Sequence, residues 1–262
     1  MASECETVLR QSLEAGVLRL TLNRPAARNA LSLDLMTALA AALERAGNNK
    51  QCRVVVLAGA GPVFCAGHDL REMRANPGRE ANERTFALCS ELMLRIVHLR
   101  KPVIAEVHGI ATAAGCQLVA TCDLAVAAAD SRFATPGVNI GLFCSTPMVA
   151  LTRAVGRKAA MEMLLTGELI DAPTAKAIGL VNRVVPPAEL TAATMALAVQ
   201  IAAKSAFTVA IGKEAFYRQA ELGLSDAYAY AGDVMTRNML ARDATEGIDA
   251  FLGKRPPVWH DA

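Results

Sequence analysis

Strands alternating with helices along most of the chain predict an α/β fold whose sheet is largely parallel. Two observations carry that expectation. Arg53-Val54-Val55-Val56-Leu57-Ala58 is a β-branched run stopped by Gly59, the pattern of a strand buried on both faces. Pro102 to Val107 and Asp123 to Ala128 repeat the strand pattern, with helical stretches between. Composition agrees: 53% of the 262 residues are hydrophobic and 20% charged, enough to bury a core. The length suits one large domain, or a domain with a small appendage.

Taken in order, Val8 to Asn23 reads as two short strands around a turn at Glu14-Ala15-Gly16. Val17, Arg19 and Thr21 alternate with Leu18, Leu20 and Leu22, as in a half-buried strand. Ser32 is placed to cap a helix that ends near Arg45. A loop from Gly59 to Gly67 follows the buried strand. Arg79 to Leu99 is a long helix, with Leu88, Leu92, Ile96 and Leu99 at helical spacing. His108-Gly109 turns the next strand, and Ala114-Gly115 opens a helix. Beyond Thr146 the pattern is mostly helical, except for a strand at Val181 to Val185.

Net charge is +2, too balanced for a nucleic-acid-binding surface. The seven cysteines (Cys5, Cys52, Cys65, Cys89, Cys116, Cys122 and Cys144) form no CxxC pair, and most sit in apolar runs. They read as reduced, buried thiols rather than disulfides or a zinc site. No metal is expected. Met1 to Glu6 lacks the basic and apolar regions of a signal peptide, and no long apolar run spans a membrane. These features place the chain in the cytoplasm.

Two strand-to-helix junctions are rich in small residues: Phe64-Cys65-Ala66-Gly67-His68-Asp69-Leu70, and Gly109 to Cys116. Small residues let a ligand approach the backbone. A helix starting there leaves N–H groups unpaired and favours negative charge nearby. Two such junctions facing one cleft could hold a carbonyl oxygen that becomes an oxyanion. On these residues alone, ordinary strand-ending turns are the favoured reading.

The wider set of motifs resembles the crotonase (enoyl-CoA hydratase/isomerase) superfamily. Leu22-Asn23-Arg24-Pro25 with Arg28 to Ser32 resembles its opening. Phe64 to Leu70 and Pro102 to Cys116 resemble its two oxyanion loops. Phe133 to Pro136, Leu165-Thr166-Gly167, Ala177 to Val181 and Glu246 to Arg255 continue the likeness in order. It runs from about Val17 to Arg255. The GHDL form of the first loop and Ala111 to Gln117 look most like the mitochondrial enoyl-CoA hydratase domain-containing protein 3 group and its bacterial relatives.

The resemblance implies a spiral of ββα units over residues 1–200. It also implies a helical C-terminal region, 201–262, used to form a homotrimer or a hexamer of two trimers. The substrate it implies is an acyl-CoA thioester, coenzyme A arriving as part of that substrate with no separate cofactor. It places the oxyanion-hole N–H groups on His68 and Ala114. Ala66, Gly67, Leu70 and Gly115 would line the cleft, and Arg28 and Lys254 would reach CoA phosphates.

Family hydratases use two glutamates, and both are replaced here. One position holds Gln117, whose amide does not exchange a proton near neutral pH. The other holds Gly137. Weak or no hydration of a simple enoyl-CoA is expected. Ser145 matches a position where other members carry a catalytic aspartate, and a helix cap is the competing reading. For His68 the resemblance assigns a role to the backbone only. Glu106, Asp69, Asp123 and His108 read as structural. A catalytically silent acyl-CoA-binding protein is the alternative to an enzyme.

Overall fold

The computed structural model describes residues 7–262. The readings of Cys5 and of the Met1 to Glu6 segment lie outside the described residues. Leu9–Glu14 (β1) and Val17–Leu22 (β2) form the expected antiparallel hairpin, in register from Leu9↔Leu22 to Glu14↔Val17. Its turn places Ala15 and Gly16 at φ of 48° and 77°, the left-handed geometry that suits the strands' twist. The Ser32 side chain accepts the Leu35 N–H at 3.2 Å and caps Leu33–Asn48 (α1). That helix runs three residues past the expected end, burying Leu35, Met36, Leu39 and Leu43 at helical spacing.

The chain continues through Val54–Gly59 (β3), Leu70–Ala75 (α2), Arg79–His98 (α3), Val103–Val107 (β4), Ile110–Thr112 (β5) and Ala114–Thr121 (α4). Then come Leu124–Ala128 (β6), Arg132–Ala134 (β7), Ser145–Ala154 (α5), Arg157–Thr166 (α6), Ile170–Asp171 (β8), Ala172–Ala177 (α7) and Arg183–Val185 (β9). Leu190–Ala202 (α8), Ala206–Gln219 (α9), Leu224–Met239 (α10) and Arg242–Leu252 (α11) complete it.

A six-stranded sheet has the order β1-β2-β3-β4-β6-β9, parallel from β2 onward. A second sheet, β5-β7-β8, lies apart from it. Successive units send one strand to the large sheet and the next to the small one: β4 then β5 then α4, and β6 then β7 then α5. This is the crotonase spiral that the motifs predict.

Side-chain alternation explains the layers. Val55 and Leu57 of β3 face the main core with Leu35, Leu39, Leu92 and Phe64. Val54 and Val56 face the other way, onto Leu190, Leu197 and Ala198 of α8. Both faces of β3 are therefore buried, as its unbroken apolar run requires. The short strands β5, β7 and β8 escape a sequence reading because two or three residues carry no periodicity. Among the described residues no single helix is long and apolar enough to cross a membrane. The α8 and α9 segments pass on composition only as a pair bent by 103°.

Candidate active site

Two segments meet at the carboxyl ends of β3 and β4. Phe64 to His68 runs alongside β5. The Cys65 N–H donates to Ile110 O at 3.1 Å, and the Thr112 N–H donates to Cys65 O at 3.0 Å. On its other side Leu31 N–H donates to Gly67 O at 2.7 Å and Asp69 N–H donates to Leu31 O at 3.2 Å. The Ala66 N–H donates to Arg28 O at 3.1 Å. This register uses the peptides on either side of His68 and leaves the His68 N–H without a protein acceptor among the described residues.

The second segment turns sharply. Ala113 sits at φ 50°, ψ −119°, a conformation costly for alanine. Its N–H donates to Ala134 O at 2.9 Å, which holds the turn. Ala114 then begins α4, so its N–H has no partner within the helix. The two segments touch. A Cβ added to Gly67 (φ 99°) would lie 2.9 Å from Ala113 Cβ and 3.4 Å from Ala114 N. A Cβ on Gly115 would lie 2.2 Å from Cys65 O. Glycine at both positions is a condition of bringing the His68 and Ala114 peptides together.

Side chains brace the first segment. Asn29, fully buried, donates from Nδ2 to Ala60 O and Val63 O, both at 2.8 Å, and accepts the Arg24 N–H at 2.9 Å. Asp69 caps α2 by accepting the Arg71 and Glu72 N–H groups and pairs with Arg24 at 2.8 Å. Its role matches the sequence reading; that of Asn29 was visible only as part of a motif. His108 contacts Gly61 O through Nε2 at 2.8 Å. Glu106 accepts two hydrogen bonds from Arg19, at 2.7 and 2.5 Å, and one from Thr191 at 3.0 Å. Both are structural, as expected.

The His68 ring packs edge-on against Phe86, centroids 5.7 Å apart, and among the described residues its buried ring nitrogens make no well-formed hydrogen bond, the Leu31 backbone being their polar neighbour. Burial pushes its imidazole below the usual value of 6.5, so the ring is neutral at pH 7. One turn along α4 from Ala114, Gln117 is buried. Its side chain has one hydrogen-bond contact among the described residues, the Cys89 thiol at 3.9 Å. Phe86 and Cys89 share one face of α3, so His68 and Gln117 stand side by side against it.

Gly137 is enclosed: an added Cβ would meet Leu142 O at 2.6 Å and Cys144 Sγ at 2.9 Å. Beside it the Thr135 hydroxyl is buried and has no hydrogen-bond partner among the described residues. Ser145 opens α5, and its exposed hydroxyl donates to Phe143 O at 3.4 Å. Ala66 and Gly67 lie in the first segment and Leu70, half-exposed, begins α2. Arg28 is exposed beside that segment at φ 52°. Lys254 is not brought there within one chain. It follows α11, and the C-terminal segment is tied to the opposite end of the strands by Asp261 on Arg53 at 2.5 Å. The six described cysteines are buried and free. Burial pushes the Cys65, Cys89 and Cys116 thiols up to about 12, which favours the protonated thiol at neutral pH.

A layered spiral with two glycine-dependent junctions at the strand ends defines a class, and comparison with known proteins identifies it. Residues 12–262 match the enoyl-CoA hydratase/isomerase family, and the chain belongs to that family. It is 49% identical over 253 residues to enoyl-CoA hydratase domain-containing protein 3, mitochondrial, of Xenopus laevis, covering 97% of this chain and 85% of that one. The crystal structure of human enoyl coenzyme A hydratase domain-containing protein 3 superposes with TM-score 0.94 at 47% identity, over 96% and 100% of the two chains. An enoyl-CoA hydratase from Mycobacterium smegmatis gives 0.95 at 56%, over 97% and 100%.

One expectation is overturned. The cytoplasmic placement does not stand, because the Xenopus laevis, Mus musculus and Homo sapiens relatives are all named mitochondrial. The composition of a folded body carries no address, which is why the sequence argument failed.

Proposed function

We propose that the chain binds an acyl-CoA thioester with its carbonyl oxygen between the His68 and Ala114 N–H groups. There it stabilises the enolate that forms when the α-carbon loses a proton. A thioester carbonyl delocalises poorly into sulfur, so its α-carbon readily takes enolate character. Preorganised N–H donors lower that barrier, each worth about 3–4 kcal/mol. The observation that carries the reading is the close approach of the two segments, where even a Cβ added to Gly67 would lie 3.4 Å from Ala114 N. Ala66, Gly67, Leu70 and Gly115 form the adjoining backbone, and Arg28 is the nearer of the two basic residues for CoA phosphates. Coenzyme A comes with the substrate and no separate cofactor is invoked. The exposed apolar residues of α10 and α11, among them Leu224, Tyr228 and Phe251, fit a homotrimeric contact through residues 201–262, bringing Lys254 to a neighbour's site.

Hydration of a simple enoyl-CoA is weak or absent in this reading, because Gln117 and Gly137 stand where carboxylates would exchange protons. Those two residues also favour a second reading, a silent acyl-CoA binder. Solvent deuterium entering the α-carbon of a panel of saturated CoA thioesters separates the two. Exchange shows an active base; binding without exchange shows a silent site. Fast hydration of crotonyl-CoA would overturn the assignment of both positions.

A further inference from the structure

The function proposed above uses the peptide N–H of His68 and gives its side chain no task. The ring is nonetheless built into the site. It leans on Phe86 of α3, and its buried nitrogens make no well-formed hydrogen bond among the described residues. Their polar neighbour is the Leu31 backbone, which acts on the ring as an acceptor. A neutral imidazole has one donor and one acceptor nitrogen. Turning the donor toward Leu31 leaves the lone pair of the other unmatched. A packed core avoids that cost, and a ligand relieves it.

The ring also stands where a substrate would be. Phe86 and Cys89 share one face of α3, and the Cys89 thiol contacts Gln117, so the ring and Gln117 are neighbours. Gln117 lines a cavity of about 790 Å³ between α3, α4, α5 and α9. Open space therefore adjoins this pair.

The other titratable groups around the ring are engaged. Asp69 pairs with Arg24 and caps α2, and Glu72 accepts the Leu33 N–H at 3.0 Å. Glu83 of α3 pairs with Arg79, and Glu106 is held by Arg19 and Thr191. Cys65 and Cys89 are protonated thiols, and Arg28 is exposed. Burial is the main influence on the ring, and no charged side chain offsets it.

We propose that the His68 imidazole is the general base that takes the α-proton of a bound acyl thioester. The inference rests on the acyl-CoA reading above and adds the base that this reading lacks. One residue then serves both ends of the step. Its peptide N–H holds the carbonyl oxygen, and its ring, joined to that peptide through Cα and Cβ, reaches the carbon beside the carbonyl. The C–H bond breaks and its electron pair forms the enolate double bond, while the carbonyl pair moves onto the oxygen. The proton passes to the lone-pair nitrogen. The imidazolium exchanges with solvent and returns a proton or a deuteron to the same carbon, so nothing else is consumed.

The test follows butyryl-CoA with the full chain in deuterated water, reading α-deuterium by mass spectrometry and binding by calorimetry. The variants are His68→Gln and His68→Ala. Both keep the backbone donor, so affinity should stay within about threefold of wild type. Exchange should fall by about 100-fold or more. Added imidazole should restore part of the rate to His68→Ala and none to His68→Gln. In the wild type, exchange should rise as the ring loses its proton and level off above an inflection below 6.5. Undiminished exchange in the folded variants, or a wild-type rate that keeps climbing into alkaline pH, overturns the proposal. Binding without any wild-type exchange also overturns it and leaves the silent-binder reading standing. Should both variants misfold, the wild-type pH profile decides alone. If butyryl-CoA does not bind at all, the underlying reading fails with it.

Discussion

The glycines at 67 and 115 turn one backbone requirement into a measurable effect. A methyl group at 115 would sit inside the Cys65 carbonyl, and backbone cannot yield as a flexible side chain does. Gly115→Ala is expected to destabilise by at least about 2 kcal/mol, read as the urea midpoint, and to abolish thioester binding. The two positions where the proposed function misses a carboxylate, 117 and 137, differ sharply. Gln117→Glu keeps the size of the side chain and places a buried carboxyl beside Cys89, where burial raises its pKa. It should increase α-deuterium exchange at pH 8 over that at pH 6. Gly137→Glu cannot do the same, because a side chain there drives into Leu142 O. That variant is expected to lose stability without gaining exchange. On the proposed reading, the lack of a carboxylate at residue 137 is built into the packing around residues 135–144.

At the scale of elements, the first junction depends on Asn29 and Asp69 rather than on its own length. Asn29→Ala leaves Ala60 O, Val63 O and the Arg24 N–H unpaired in a buried setting, with an expected cost of at least about 2 kcal/mol. Burial alone would raise the Asp69 pKa, but Arg24 and the Glu72 and Arg71 N–H groups outweigh it and hold the carboxyl below 3.8. A carboxyl depressed in the fold adds stability that is complete above its unfolded pKa. That stability is lost as the pH falls through the folded value. The melting temperature should therefore drop below about pH 4. Asp69→Asn should flatten part of that drop, and an unchanged slope would remove Asp69 from the account.

Across the whole molecule, one buried polar knot joins the C-terminal helices to the sheet. Lys213 of α9 donates to Asp123 at 2.7 Å and to the Ile96 and Lys101 carbonyls at 2.9 and 3.0 Å. The Tyr217 hydroxyl donates to the other Asp123 oxygen at 2.8 Å, and Asp123 also accepts the Val103 N–H. Burial pulls the Lys213 pKa down while Asp123 pushes it back up. Asp123→Ala would strand a buried ammonium, at about 3–5 kcal/mol. Thermal unfolding and amide exchange in α9 are the readouts, and protection of α9 should fall first.

The layers, the buried strands, the Ser32 cap and the two junctions were legible along the chain, because periodicity and capping act over a few neighbouring residues. So were the structural roles of Asp69, Asp123 and Glu106, since a carboxylate beside apolar sequence needs a partner wherever it falls. Folding in three dimensions alone set β5 beside Phe64 to His68, closed the space around Gly137, and opened a cavity behind Gln117. Those depend on distances between segments dozens of residues apart, which no local pattern encodes. The His68 and Ala114 peptides belong to the same group: among the described residues neither N–H has a backbone acceptor, because the neighbouring peptides are paired elsewhere.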